Sequence, residues 1–356
     1  GFGAATTVAP GYVAEIAPAD IRGRLIGFRQ LAIILGLFFA GLINTAVVSI
    51  TGGAAKPAFG GLMTWQVLFA CLIIPALLFV IFTAKIPESP RYLVSVGRTK
   101  EAEEILAKLS GEEDPADRVE AIAQSLTITG GAKLSIGQIL SSQWRGLVFV
   151  GMAIAAFQQL TGINGVFFYS NSLFAAVGFT ESMALAQTLL ITAFKIVGVV
   201  SGILLVDKVG RKRMLIYGGT IIFLSLAVVA TVFTIAPIVN GKPDISSTPA
   251  LGFVAVAALC TFIFGFTSSW GPIFSIVMGE MFPNQIRGGA MSLASGADFL
   301  VNFLVVLFFP YLIAWSPAGT YWIYCAFGVL AVIFTARYLH ETTGTQLEDV
   351  DKVVSQ

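Results

Sequence analysis

Apolar side chains along this chain come in long runs broken by short polar connections. Stretches able to cross about 30 Å of hydrocarbon, at about 1.5 Å per helical residue, occur at 2–17, 25–50, 62–84, 147–170, 184–206, 214–239, 251–278, 289–314 and 321–339. In hydrocarbon a backbone must satisfy its own hydrogen bonds, so such runs predict membrane-crossing helices. The predicted fold class is an all-α, multi-pass membrane protein with nine spans, the first of them short and starting abruptly at Gly1. One long polar stretch, 86–143, interrupts the series. Within it, RTKEAEEILAKL (98–109) places Ala102, Ile105 and Leu109 at spacings of three and four among mixed charges, the pattern of a short amphipathic helix. Pro115 and Gly130 mark breaks between such segments. The stretch therefore reads as a small helical linker between two sets of spans.

Composition supports the same reading and removes several function classes. Charged residues make up only 12% of the 356 residues and apolar ones 56%, whereas a soluble domain carries about 25% charged residues. The 37 glycines suit helices whose backbones approach closely. A net charge of +1 gives no basis for a nucleic-acid partner. Cys71, Cys260 and Cys325 lie inside apolar runs and read as small core residues. With His340 the single histidine, a zinc site from histidine and cysteine is not expected. No GxxxxGK[ST] nucleotide loop is present. Neither metal nor cofactor is expected, and the chain does not read as an enzyme.

Charge placement orients the helices. Of the 21 basic residues, 18 fall in the connections after spans 1, 3, 5 and 7, in the C-terminal flank or at the adjoining helix ends; the others are Lys56, Lys195 and Lys242. The positive-inside bias puts that set, and the C-terminus, in the cytoplasm of a cell-membrane protein. A repeat accompanies the bias: EIAPADIRG (15–23) follows span 1 and EMFPNQIRG (280–288) follows span 7. Copies six helices apart predict two six-helix halves. The expected domains are 1–85, the last three helices of the first half; 86–143, the cytoplasmic linker; 144–340, the complete second half; and 341–356, a cytoplasmic tail. On this count nine of twelve helices are present, and three are expected to precede Gly1.

Polar side chains within the spans are the candidate functional groups, because they are expensive in hydrocarbon unless they face a bundle interior or a wet cavity. Gln158, Gln159, Thr161 and Asn164 in FQQLTGINGVFFYS (157–170) cannot share one face of a straight helix, and Gly162 and Gly165 weaken it between them. That combination predicts a bent or interrupted helix at a solute site, with interhelical hydrogen bonding as the structural alternative. Lys195 lies mid-span, and Asp298 lies one turn before Asn302. Opposite charges in hydrocarbon suggest a pair across a shared cavity, serving structure, substrate binding, or coupling and gating. Gln30 is a further cavity candidate, while Asn44 reads as a helix-end residue. Trp270 in SSWGPIFS (268–275) begins a glycine and proline kink, or else anchors an aromatic belt. At the helix ends, Asp207, Arg211 and Lys212 form an acidic and basic cluster, and Glu15 with Arg22 matches Glu280 with Arg287. These are candidate latch residues; topology signalling explains the cations but not the matched glutamates.

The motifs EIAPADIRGR (15–24), PESPRYL (87–93), QQLTGING (158–165), LVDKVGRKR (205–213), GEMFPNQIRG (279–288) and ETTG (341–344) resemble, in order and spacing, the sugar porter family of the major facilitator superfamily. The resemblance extends over essentially the whole chain. It implies twelve helices in two halves, a central site open alternately to either side, and a small sugar as substrate, with a proton as co-substrate in the symporters. It implies Gln158, Gln159, Asn164, Asn302 and Gln30 as sugar contacts. It also implies Glu15, Arg22, Asp207, Arg211, Lys212, Glu280 and Arg287 as a cytoplasmic salt-bridge network. Lys195 and Asp298 depart from the family, standing where asparagines are usual, and are kept as binding candidates. Phe299 and Ser275 stand where tryptophans are common. A glucose-like hexose or a pentose is the first expectation, in a monomer within the lipid bilayer. A polyol or other sugar facilitator and a sugar-sensing receptor are the alternatives.

Overall fold

A backbone without water to bond closes its hydrogen bonds internally, and among the described residues the long apolar runs do so as helices. The computed structural model describes residues 12, 22–53, 55–110, 115–128, 136–166, 184–239, 242–243, 245, 248–282 and 286–341. Among them, eight helical segments are long and apolar enough to cross a membrane: Leu31–Thr51, Thr64–Thr83, Arg145–Val166, Leu189–Val206, Arg211–Ile235, Pro249–Glu280, Arg287–Trp315 and Pro317–Tyr338. They coincide with eight of the nine predicted spans. The first predicted span, 2–17, lies outside the described residues. The chain divides into two compact units, Gly1–Gly131 and Ala132–Gln356, the boundary falling within the polar stretch.

In the first unit, α1 (Arg22–Thr51) is followed by α2 (Thr64–Cys71) and α3 (Ile73–Thr83). The last two form one apolar run interrupted near Leu72, because Pro75 has no N–H to offer the carbonyl one turn before it. Apart from Thr64 at its start, no residue of the Thr64–Thr83 stretch is buried within the protein, as suits a helix that is apolar all round and whose solvent is lipid. The polar stretch folds as α4 (Pro90–Ser95), α5 (Thr99–Ser110) and α6 (Pro115–Ile128). Ser89 caps α4 by accepting the Tyr92 N–H at 3.2 Å. The three helices close over Leu93, Val94, Ala102, Leu106 and Val119. Ala102 and Ile105 of the predicted apolar face do pack there, joined by Leu106; the Leu109 side chain lies outside the described residues.

The second unit contains α7 (Ile136–Ser141), α8 (Arg145–Leu160), α9 (Ala184–Val209), α10 (Arg211–Ile235), α11 (Pro249–Ser268), α12 (Pro272–Glu280), α13 (Arg287–Trp315) and α14 (Pro317–Tyr338). Proline in the first turn starts α11, α12 and α14, where its missing N–H breaks no bond. A short antiparallel pair, β1 (Ile238–Val239) and β2 (Lys242–Pro243), links α10 towards α11. α10 lies between α14 and α11, α9 packs on α11, and α8 packs on α13 and α14. Small residues set these distances: a Cβ on Gly328 would come within 2.8 Å of Phe223 of α10.

Candidate functional site

The site is built on a break in α8. The helix stops at Leu160, Gly162 takes φ +79°, and a helical turn resumes over 163–166. Two local bonds complete the break, from Gly162 N–H to the Gln159 carbonyl at 2.9 Å and from the Thr161 hydroxyl to the Gln158 carbonyl at 2.8 Å. Glycine is required at 162 on two counts. The left-handed backbone disfavours any side chain, and a Cβ there would come 2.6 Å from the Tyr324 ring. Tyr324 in turn stacks on Phe309, with ring centroids 6.3 Å apart and planes 7° from parallel. The interrupted helix predicted from the sequence is thus present, backed by an aromatic pair from α13 and α14.

The break turns Asn164 toward the polar face of α13. Gln159 Nε2 donates to Asp298 Oδ1 at 2.8 Å. Asn164 Nδ2 donates to Gln159 Oε1 at 3.2 Å and to Asn302 Oδ1 at 2.7 Å. Asp298 and Asn302, one turn apart on α13, are therefore joined to α8 and its continuation by a single amide and carboxylate cluster. Each of these bonds uses only part of its groups' capacity. The second Asp298 oxygen, the Asn164 oxygen and the Asn302 amide N–H groups have no protein partner among the described residues. Half-buried donors and acceptors of this kind match the mixed hydrogen bonding of hydroxyl groups.

The other sequence candidates fall in different places. Gln158 is buried, with 8% exposure, and gives its Nε2 to the Trp270 carbonyl at 2.8 Å. Lys195 sits half-buried in the middle of α9. Asp298, expected from charge to pair with Lys195, accepts a hydrogen bond from Gln159. Trp270 is fully buried at the break between α11 and α12, its indole N–H donating to the Leu215 carbonyl of α10 at 3.0 Å. That places it at the predicted kink and rules out the belt position. Asn44 is exposed on α1, and Gln30 lies in α1 with its side chain outside the described residues.

At the junction of α9 and α10, the described part of the predicted charge network centres on Arg211. Its guanidinium holds Glu280 with two bonds, Nε to Oε2 at 3.2 Å and Nη2 to Oε1 at 3.1 Å, the planar fork suited to a carboxylate. Arg287 donates from Nε to the Phe282 carbonyl at 3.2 Å. Sequence reasoning quoted the motif that contains Glu341 but assigned that residue no role. Its carboxylate accepts the backbone N–H of Arg211 at 2.8 Å and of Lys212 at 3.2 Å, capping α10 at the positive end of its dipole. Gly210, with φ +95°, is the residue that permits this, since a Cβ there would lie 2.7 Å from Glu341 Oε2. An open cleft of about 480 Å³ beside the cap is lined by Lys208, Gly210, Lys212, Arg213, Ile216 and Glu341. Glu15 and the side chains of Arg22 and Asp207 lie outside the described residues.

Comparison with known proteins supplies a context for this geometry. The family described as Sugar (and other) transporter matches residues 1–354. A glucose transport protein of Synechocystis sp. is 38% identical over 355 residues, covering 98% of this chain and 75% of that protein. The D-xylose-proton symporter of Escherichia coli K12 is 35% identical over 361 residues, covering 99% of this chain and 69% of the symporter. A solved structure of the major facilitator proton:xylose symporter XylE, bound to 6-bromo-6-deoxy-D-glucose, matches with a TM-score of 0.82 at 33% identity. That match covers 99% of this chain and 71% of that one.

Proposed function

This chain belongs to the sugar (and other) transporter family of integral membrane proteins, and we propose that it carries a monosaccharide across the cell membrane by alternating access. The observation that carries this reading is the partly satisfied cluster of Gln159, Asn164, Asp298 and Asn302 at the broken α8. Sugar hydroxyls complete its open valences: two donate to the free oxygens of Asp298 and Asn164, and one accepts from the Asn302 amide. Gln158 holds α8 in place from behind, and Gln30 and Lys195 are kept as further sugar-contact candidates. A glucose-like hexose or a pentose fits this donor and acceptor set, and no covalent step is involved.

The linker 86–143 and the C-terminus lie on the cytoplasmic side, where basic residues concentrate. Arg211, Glu280 and Glu341 form a latch there. With the latch made the inner side is shut, and its separation releases sugar inward. Relatives that couple sugar to protons favour symport for this chain as well.

Uptake into proteoliposomes by the protein, using D-glucose, D-xylose, L-arabinose and a polyol with and without an inward proton gradient, tests the reading. Saturable uptake of at least one monosaccharide, accelerated by the gradient, is expected. Gradient-independent uptake would replace symport by facilitation. Failure to move or bind any sugar or polyol would overturn the assignment.

A further inference from the structure

We infer that Trp270 is the positioning residue that links occupancy of the sugar site to the Arg211–Glu280 latch. This rests on the transport reading given above. Trp270 has no exposed surface and joins two helices by its two polar groups: its carbonyl accepts from Gln158 of α8 at 2.8 Å, and its indole donates to Leu215 of α10 at 3.0 Å. Gln158 is the immediate neighbour of Gln159, which holds Asp298. Leu215 lies one helical turn from Arg211, which holds Glu280. Trp270 thus stands one residue from the sugar cluster on one side and one turn from the latch on the other.

The helix between them makes the connection mechanical. α12 begins at Pro272 and ends at Glu280, nine residues and about 13 Å long. It is tied to α10 at both ends, at its start through the Trp270 indole and at its end through the Arg211 fork. A rod pinned at two points cannot tilt until one pin moves. Glycine at 219 lets the indole sit flush on α10, since a Cβ there would lie 3.2 Å from Trp270 Nε1. When sugar draws Gln159 and Asn164 together, Gln158 follows on the same turn of α8. The pull on the Trp270 carbonyl is delivered to the start of α12, and the far end of α12 is the glutamate of the latch. Coupling needs an element with two arrangements that both sites bias, and the Arg211–Glu280 pair, made or separated, is that element.

Hydrogen exchange of the full protein, read in the amides of 211–219 and 272–280 with and without saturating D-glucose or D-xylose, tests the link. In the unaltered protein, bound sugar is expected to change exchange in both segments together by about fivefold or more, the scale of ordinary coupling between sites. In Trp270→Phe, which keeps a ring and loses the N–H, sugar affinity is expected within about threefold of the unaltered value, while the response at 211–219 disappears. Adding Trp270→Phe to Glu280→Gln is then expected to change that response no further.

Retention of the full response in a Trp270→Phe protein that binds sugar overturns the inference. So does a loss of sugar affinity in Trp270→Phe large enough to account for the lost response, which would make Trp270 a part of the binding site only. If Trp270→Phe does not fold, the unaltered protein decides: a sugar response in one segment without the other overturns the link, and a joint response upholds it. A protein that moves sugar but shows no response in either segment also overturns the link and leaves the transport reading standing. A protein that neither binds nor moves any sugar removes both.

Discussion

Substituting Gly162 by alanine perturbs the site through its backbone and touches none of its hydrogen-bonding groups. At φ +79° the new side chain adds about 1 kcal/mol of left-handed strain. Its Cβ would lie 2.6, 2.7 and 2.9 Å from three atoms of the Tyr324 ring. Restoring ordinary contact requires about 0.9 Å of movement, at an overpacking cost of about 1–3 kcal/mol. The ring cannot slide away freely, because it stacks on Phe309, which itself covers Gly165. The expected total is about 2–4 kcal/mol, shared between stability and the position of Asn164 two residues on. Thermal unfolding in detergent should shift down by several degrees, and sugar affinity should fall by about tenfold or more, since about 1.4 kcal/mol is a factor of ten. Adding Tyr324→Leu should recover the overpacking part, leaving a coupling of about 1–2 kcal/mol in the double-mutant cycle. Additive losses, or a Gly162→Ala protein with unchanged stability and affinity, would refute the reasoning.

Asp298→Asn keeps an oxygen for the Gln159 donor and offers an N–H from which a sugar hydroxyl can accept, and should hold the KM of uptake within about threefold, whereas Asp298→Leu leaves Gln159 Nε2 without its acceptor and should raise it by about tenfold or more; uptake kinetics of the two variants decide this. Arg211→Lys cannot reproduce the two-bond grip on Glu280 and should increase labelling of the cytoplasmic face by a membrane-impermeant reagent, without loss of protein from the membrane. Glu341→Ala removes two charge-assisted caps from α10 and should weaken the same latch by about 1–2 kcal/mol, seen as faster amide exchange at 211–214. Leu106→Ala opens the small core of α4, α5 and α6, at a cost of about 2–5 kcal/mol, and should expose 90–128 to limited proteolysis while the membrane helices stay protected.

Much of the fold was legible because its signals are local. An apolar run must become a helix in lipid whatever surrounds it, so eight spans fall where the hydrophobic pattern puts them. The interruption at Gly162 was readable too, from two glycines among four polar residues that no straight helix could bring to one face. Partners were harder to read. Opposite charge suggested Lys195 as the companion of Asp298, but not the hydrogen bond from the neutral Gln159, 139 positions away in the chain. Gln158 and Gln159 look interchangeable in sequence, and one of them is spent on the Trp270 carbonyl. Glu341 sat inside a recognised motif, but its task as a cap on a helix 130 positions earlier leaves no periodicity to find.

Sequence by itself determined the membrane solvent, the positions of the eight described spans and the set of polar residues too costly to leave in lipid, because each follows from the free energy of one segment in hydrocarbon. Tertiary structure decided which of those polar residues meet: Gln159 with Asp298, Asn164 with Asn302, Arg211 with Glu280, and Trp270 between Gln158 and Leu215. Hydrogen bonds act over about 3 Å, and only the packing of distant helices brings these groups within that reach.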